Sequence, residues 1–220
     1  LTHTDMSNEA FPFGTSQVID LGYARVRASR VTFVGELGWE LYIATEYATG
    51  VFDAIVAAGA PFGLKHAGYH ALNSLRMEKG YRHWSHDISP DDTPIEAGLG
   101  FTVAYDKPGG FIGREALLKQ KETGVKKRLV QFALNDASKL LYHNEPIWRN
   151  GEIVGHIASG MFGHHIGKSI GMGYVENHHG LADKAFITEG SYEIEVAGER
   201  VAAVAQLEPF YDPKSARVKA

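Results

Sequence analysis

Cysteine is absent from all 220 residues, which excludes disulfides, thiolate metal ligands and a cysteine nucleophile and suits a reducing compartment. Proline is sparse, 8 residues against 25 glycines, so turns must rest on glycine more than on proline. No run reaches the roughly 18 consecutive apolar residues a spanning helix needs, and no basic-then-apolar leader opens the chain. No membrane partner is expected. A formal net charge of -4 gives no broad basic field for nucleic acid, and the local trio Lys126-Lys127-Arg128 is expected to be a solvated turn. The opening Leu1-Thr2-His3-Thr4-Asp5 carries no methionine, so the chain reads as a piece of a longer polypeptide.

What is present describes an ordinary globular protein: 44% hydrophobic and 22% charged residues, enough for one large domain or two modest ones. Ala24 to Ser29, followed by Arg30 to Val34, has the mixed β-branched and polar composition of a half-buried sheet. Gly35-Glu36-Leu37-Gly38 supplies a tight turn, and Trp39 to Ile43 alternates, so an antiparallel hairpin is expected. In it Trp39, Leu41 and Ile43 share one face and Glu40 and Tyr42 the other. A helix capped by Thr45 or Thr49 is predicted through Val51, Phe52, Ile55 and Val56, ending at Gly59 and Pro61. A second is predicted over 67–79, with Ala71, Leu72, Leu75 and Met77 inward and Gly80 at its end. Gly109-Gly110 and the residues to Leu118 read as loop, short strand and helix start.

A boundary is expected near Thr123-Gly124. Beyond it, short β-like runs at 128–134, 145–149, 152–157, 169–175, 185–187 and 191–196 suggest a compact β-barrel or sandwich, with Asn150-Gly151 the clearest hairpin turn. Helices mixed with strands and followed by this all-β segment make the fold class α+β.

Most chemical motifs can be set aside. Of the eleven histidines, His164-His165 and His178-His179 are adjacent pairs, which on strands point to opposite faces and do not chelate one ion, so no metal site is expected. His83 and His86 are placed together after the second helix. The glycines at 163, 167, 171 and 173 around Lys168-Ser169 lack the GxxxxGK(S/T) pattern and precede a strand, so they are assigned to barrel bends and close backbone approach. No GxSxG elbow occurs, and Asp91-Asp92 in a Ser-Pro-Asp-Asp-Thr-Pro setting reads as a turn or cap.

Sequence motifs carry the argument further. Val31-Thr32-Phe33-Val34-Gly35-Glu36-Leu37-Gly38-Trp39-Glu40-Leu41 resembles the "YTGExGxE" hairpin of the aminomethyltransferase (glycine-cleavage T-protein) superfamily. Asn73 to Gly80 resembles its "SLRLE" helix, Thr93 to Leu99 its "TPxEAGL" segment, Phe111 to Leu117 its "FIGREAL" segment, and Ile166 to Val175 the "xLGKxIxMxYV" of its C-terminal barrel. The order matches, the likeness spans nearly the whole chain, and Asp5 to Gly14 is similar to the dimethylglycine and sarcosine dehydrogenase branch, which fuses this module behind a flavin domain.

The resemblance implies a folate-binding aminomethyltransferase-like portion over 1–123, the second part of that module, and a C-terminal T-protein β-barrel over 124–220. It implies tetrahydrofolate as cofactor, with FAD confined to an N-terminal domain outside this chain, and capture of an amine-derived one-carbon unit as 5,10-methylenetetrahydrofolate. Glu40 matches the carboxylate that receives the pterin NH donors; Phe33, Trp84 and Arg217 fall at or near further ligand-contact positions. Phe33 stands where relatives often have tyrosine, so stacking is kept and a hydroxyl bond is lost. For Trp84 core packing is the rival role, and for Arg217 a solvated tail. Leu72 replaces an arginine of the stand-alone aminomethyltransferases and favours the dehydrogenase branch. Arg76 and Glu78 are assigned to structure. The family's essential acid lies upstream, so the catalytic residue is not in this chain and the isolated piece is expected to be inactive. The remaining implied partner is the N-terminal half of the same polypeptide, in the cytoplasm or, in a eukaryote, the mitochondrial matrix. The alternatives are a stand-alone aminomethyltransferase and a non-catalytic folate-binding relative.

Overall fold

In the computed structural model, which describes residues 1–220, alternation builds the first sheet. β1 (Ser16–Leu21) and β2 (Ala24–Ser29) bury Ile19, Leu21, Ala24, Val26 and Ala28 on one face. The loop between them is only Gly22-Tyr23, and Gly22 takes the positive φ of 59° that a two-residue hairpin of this kind requires at its first position. β3 (Glu40–Tyr42) pairs with β2 from Arg27↔Tyr42 to Ser29↔Glu40.

The expected hairpin therefore exists, but its arms are shorter than the composition suggested. Arg30 to Val34 is not strand: Val31 N donates back to Ser29 O at 3.0 Å, which ends β2. Residues 30–39 form an open connection in place of a tight turn. Arg30 is drawn inward, 1% exposed, donating from Nη1 to Phe11 O at 2.8 Å and from Nη2 to Ala220 O at 3.1 Å. The face assignment holds: Trp39, Leu41 and Ile43 pack on the core of Phe11, Ile19 and Val26, while Glu40 and Tyr42 are exposed.

α1 (Thr45–Gly59) is capped by Ala44 without a side-chain bond, so neither Thr45 nor Thr49 serves as the cap. Within its expected stripe, Val51 is buried and Ile55 packs on the same core, but Phe52 is 55% exposed and stacks on His66.

The chain divides into two compact units, Leu1–Leu72 with Lys214–Ala220, and Asn73–Pro213. The second unit holds the C-terminal part of α2 (Tyr69–Glu78), α3 (Arg114–Thr123) and a closed barrel. α2 departs from its apolar stripe, because Ala71 is exposed and the buried positions are Ser74, Arg76, Met77 and Glu78. No strand precedes α3; Gly113, at φ 89°, leads directly into it.

The barrel strands are β4 (Lys127–Leu134), β5 (Pro146–Arg149), β6 (Glu152–Gly163), β7 (Lys168–Glu176), β8 (Tyr192–Val196) and β9 (Glu199–Gln206), closing in the order β4-β7-β6-β5-β8-β9. Asn150 and Gly151, with φ of 50° and 88°, make the β5–β6 turn as the sequence indicated. The run 185–187 is not a strand: it lies in α4 (Lys184–Thr188), started by Asp183, whose carboxylate accepts from Phe186 N at 2.7 Å. β9 was not foreseen.

Lys126-Lys127-Arg128 is likewise no solvated turn, since β4 begins at Lys127. Lys127 Nζ lies 2.8 Å from Asp92 Oδ1, and Asp92 Oδ2 accepts from Ser89 N and Oγ, so Asp92 anchors a turn. Burial pushes the Asp92 carboxyl up, but the bonds from Lys127 and Ser89 outweigh it and hold it below the ordinary carboxylate range. A depressed carboxyl stabilises the fold above its unfolded-state pKa and loses that contribution as pH falls through the folded-state value. Asp92→Asn is accordingly expected to flatten the acid limb of stability against pH in urea melts; an unchanged acid limb counts against the pairing.

Candidate functional site

Glu40 opens β3, opposite Ser29, on the face turned away from the core. Tyr42 follows two residues later on the same face, as the strand period requires, and its hydroxyl donates to Glu40 Oε2 at 3.1 Å. That bond, and then the carboxylate's charge, hold the Tyr42 phenol above its ordinary pKa. One carboxylate oxygen is thus steadied by a neighbour while the group stays in solvent, able to accept more N–H bonds.

The 30–39 connection carries the next groups. Thr32 Oγ1 accepts from Gly35 N at 3.0 Å, and Gly35 is buried at φ 77°, so the bend there depends on glycine. Phe33 is half-buried in this bend. Arg217, 63% exposed in its side chain, reaches Glu36 with Nη1 3.8 Å from Oε2, an ion pair without hydrogen-bond geometry. Arg30 lies over the Trp39 ring at 5.7 Å and fixes the other end of the connection. Glu40, Phe33 and Arg217 therefore all belong to the first unit, around one loop. Arg217 is not merely a solvated tail residue.

Trp84 belongs to the second unit and is 62% exposed, which overturns core packing as its role. It bridges to Ile88 across a bend in which Ser85 N donates to Ile88 O at 2.8 Å. His83 and His86 do lie together, their rings 4.9 Å apart and edge to face.

The end of α2 holds a chain of buried charge. Arg76 pairs with Asp87 and donates to Tyr81 O at 3.2 Å and Ser159 Oγ at 3.1 Å. Asp87 Oδ2 also accepts from His83 N at 2.7 Å. Glu78, 0% exposed, accepts from the backbone N–H of His165 and Ile166 at 2.6 and 3.1 Å and faces His165 Nδ1 at 2.9 Å. Lys79 donates to Asp212 O at 2.6 Å. These are anchors of backbone, in line with the structural assignment of Arg76 and Glu78. His165 and its neighbour His164 sit in the β6–β7 turn, and His178-His179 in the turn after β7, so the premise that they lie on strands was mistaken. No cluster of three or more metal-ligating side chains forms. The strand period places Tyr42 on the face of Glu40, but nothing in the sequence gives it a role at the site; Glu36, legible only as part of the turn, meets Arg217 through the fold alone.

Comparison with known proteins agrees with this architecture. The family described as "GCVT N-terminal domain" matches residues 1–107, and "Glycine cleavage T-protein C-terminal barrel domain" matches 127–212. The chain is similar to human mitochondrial sarcosine dehydrogenase, at 46% identity over 98% of its own length and 23% of the relative's. It is similar to human mitochondrial dimethylglycine dehydrogenase at 39% identity, over 80% of the chain and 20% of the relative. It thus spans a quarter or less of these curated relatives. Among solved structures, the glycine cleavage system aminomethyltransferase T of Bartonella henselae shares the fold, with a TM-score of 0.78 at 23% identity, covering 94% of this chain and 54% of that one.

Proposed function

Because this chain belongs to the glycine cleavage T-protein family, on the side of the sarcosine and dimethylglycine dehydrogenases, we propose that it is the tetrahydrofolate-binding C-terminal part of such an enzyme. In this reading the whole protein oxidises an N-methyl amine with a flavin carried outside this chain and captures the released carbon as 5,10-methylenetetrahydrofolate. Residues 1–123 are the second part of the folate module and 124–220 its barrel domain. The mitochondrial relatives favour the matrix as its compartment.

The observation that carries the reading is the exposed Glu40 carboxylate, steadied on a strand by Tyr42. An ionised carboxylate accepts two N–H bonds in parallel, which suits the amino and ring N–H donors of a pterin, and a strand leaves it little entropy to lose on binding. Phe33 offers a ring face for stacking, and Arg217 a positive charge for an anionic part of the ligand. Trp84 is proposed as a further aromatic contact by family resemblance alone. Tetrahydrofolate supplies the nucleophilic nitrogen that takes up the one-carbon unit; the chain's own groups bind and orient.

Calorimetric titration of tetrahydrofolate into the chain, and into the longer polypeptide that contains it, tests this. Glu40→Gln replaces one acceptor oxygen by an NH2 facing the pterin donors, and binding is expected to weaken about tenfold or more. Equal affinity of the variant removes the pterin from Glu40; no binding by either wild-type polypeptide removes the folate reading altogether.

A further inference from the structure

A recess lies wholly within the second unit, remote in sequence from the Glu40 loop. It is a cavity of about 490 Å³ walled by Ile95, Phe101 and Tyr105 on one side, the end of α3 on another, and Leu181 with the start of α4 on the third. That volume is within the usual range for small-ligand sites. Gly124, at φ 81° after α3, lets Leu181 close against it, since a Cβ there would meet Leu181 Cδ1 at 2.8 Å.

Arg128 of β4 lines this cavity, and the surroundings leave its charge unanswered. Its Nε is buried and hydrogen-bonds to nothing, and no carboxylate pairs with its guanidinium. Burial pushes the Arg128 pKa down, with no opposing charge to offset it. The acid that shares the cavity, Asp183, is committed to capping α4 through Phe186 N. Lys121 and Lys184 add positive charge, Lys121 lying 4.7 Å over the Tyr105 ring. Gln120 Oε1 is a second buried polar atom of the same wall without a partner. Of the buried side-chain atoms left without a hydrogen-bond partner, these two lie in the wall of one cavity, a donor and an acceptor in the same lining.

We propose that this cavity is a binding site for a small carboxylate with an apolar or aromatic body, its anion held by Arg128 and its body against Phe101, Tyr105 and Leu181. A planar guanidinium takes a carboxylate by two parallel bonds, and the geometry of an arginine fork, not charge alone, sets the preference. Gln120 meets a polar substituent on the body. The site is separate from the folate reading and stands or falls without it.

The test uses phenylacetate as the probe and phenylacetamide, its neutral counterpart, as the control, with the chain labelled for amide chemical-shift titration. Phenylacetate is expected to give saturable shifts at Gln120, Lys121, Val125 and Leu181, with phenylacetamide about tenfold weaker or worse. Arg128→Gln is expected to bring phenylacetate down to the level of the amide, while Arg128→Lys recovers only part, because it keeps the charge and loses the fork. The probe comparison on the unaltered chain remains decisive even where a variant folds poorly. Equal binding of the acid and the amide, shifts scattered outside the cavity, or no saturation by either probe each overturn the proposal.

Discussion

Asp87→Ala is expected to destabilise the second unit by about 3–5 kcal/mol, the cost of leaving a buried partner charge unpaired. Its carboxylate faces Arg76, whose side chain is 4% exposed, and no other carboxylate pairs with that guanidinium. The remaining bonds of Arg76, to Asn73 Oδ1 at 3.2 Å, Tyr81 O and Ser159 Oγ, all come from neutral groups. The same substitution strips His83 N of its acceptor and frees the 83–88 bend on which Trp84 stands. The double variant Arg76→Met with Asp87→Ala removes both charges, and most of the loss is expected to return, because desolvation of an ion pair offsets much of its attraction. Urea melts of the single and double variants measure both quantities. A loss below about 1 kcal/mol for Asp87→Ala, or a double variant as unstable as the single one, means that the pair is not what anchors α2 to the barrel.

Gly155→Ala is expected to cost about 3 kcal/mol or more, at or beyond the upper end for overpacking, and at 37 °C to leave the barrel unfolded in a substantial fraction of molecules. A Cβ on Gly155 would overlap the carbonyl oxygen of Tyr174, and one on Gly173 that of His156. Backbone cannot swing aside as a flexible side chain does. Both glycines sit where the ladders shift, at the irregularities near Ile147/Trp148 and Ile157/Ser159, with Ile147 Cδ1 close above each. Bulges of this kind bend a strand and tighten its twist, which helps six strands close on themselves. Hydrogen exchange of the β6 and β7 amides reads the effect directly: protection is expected to fall across both strands in the variant. Undiminished protection there sinks the close-approach argument.

The recognisable motifs were legible because they are local. Trp39 to Ile43 alternates within five residues, and the faces it assigns are the faces observed, with Glu40 outward. Asn150-Gly151 needs only its own two φ angles to mark the β5–β6 turn. β1 and β9 were illegible for an equally local reason: Val18 beside Ile19 blurs the alternation, and the alanines of β9 carry little strand preference until neighbours supply it. The short apolar run Ala185 to Ile187 fits a strand or a helix, and the Asp183 cap decided it.

The amino-acid sequence by itself thus determined the α+β class, the barrel, the family and the outward carboxylate at Glu40. Tertiary structure alone decided where charge is buried. The partners of Arg76, Glu78 and Lys79 lie at 87, 165 and 212, and no sequence period reaches across such separations. It also decided which charge is left over: Arg128 looked like one of three solvated basic residues, yet its neighbour Lys127 found Asp92 and it found none. Pairing across a fold depends on which strands meet at which register, and a residue's own neighbours in the chain do not carry that information.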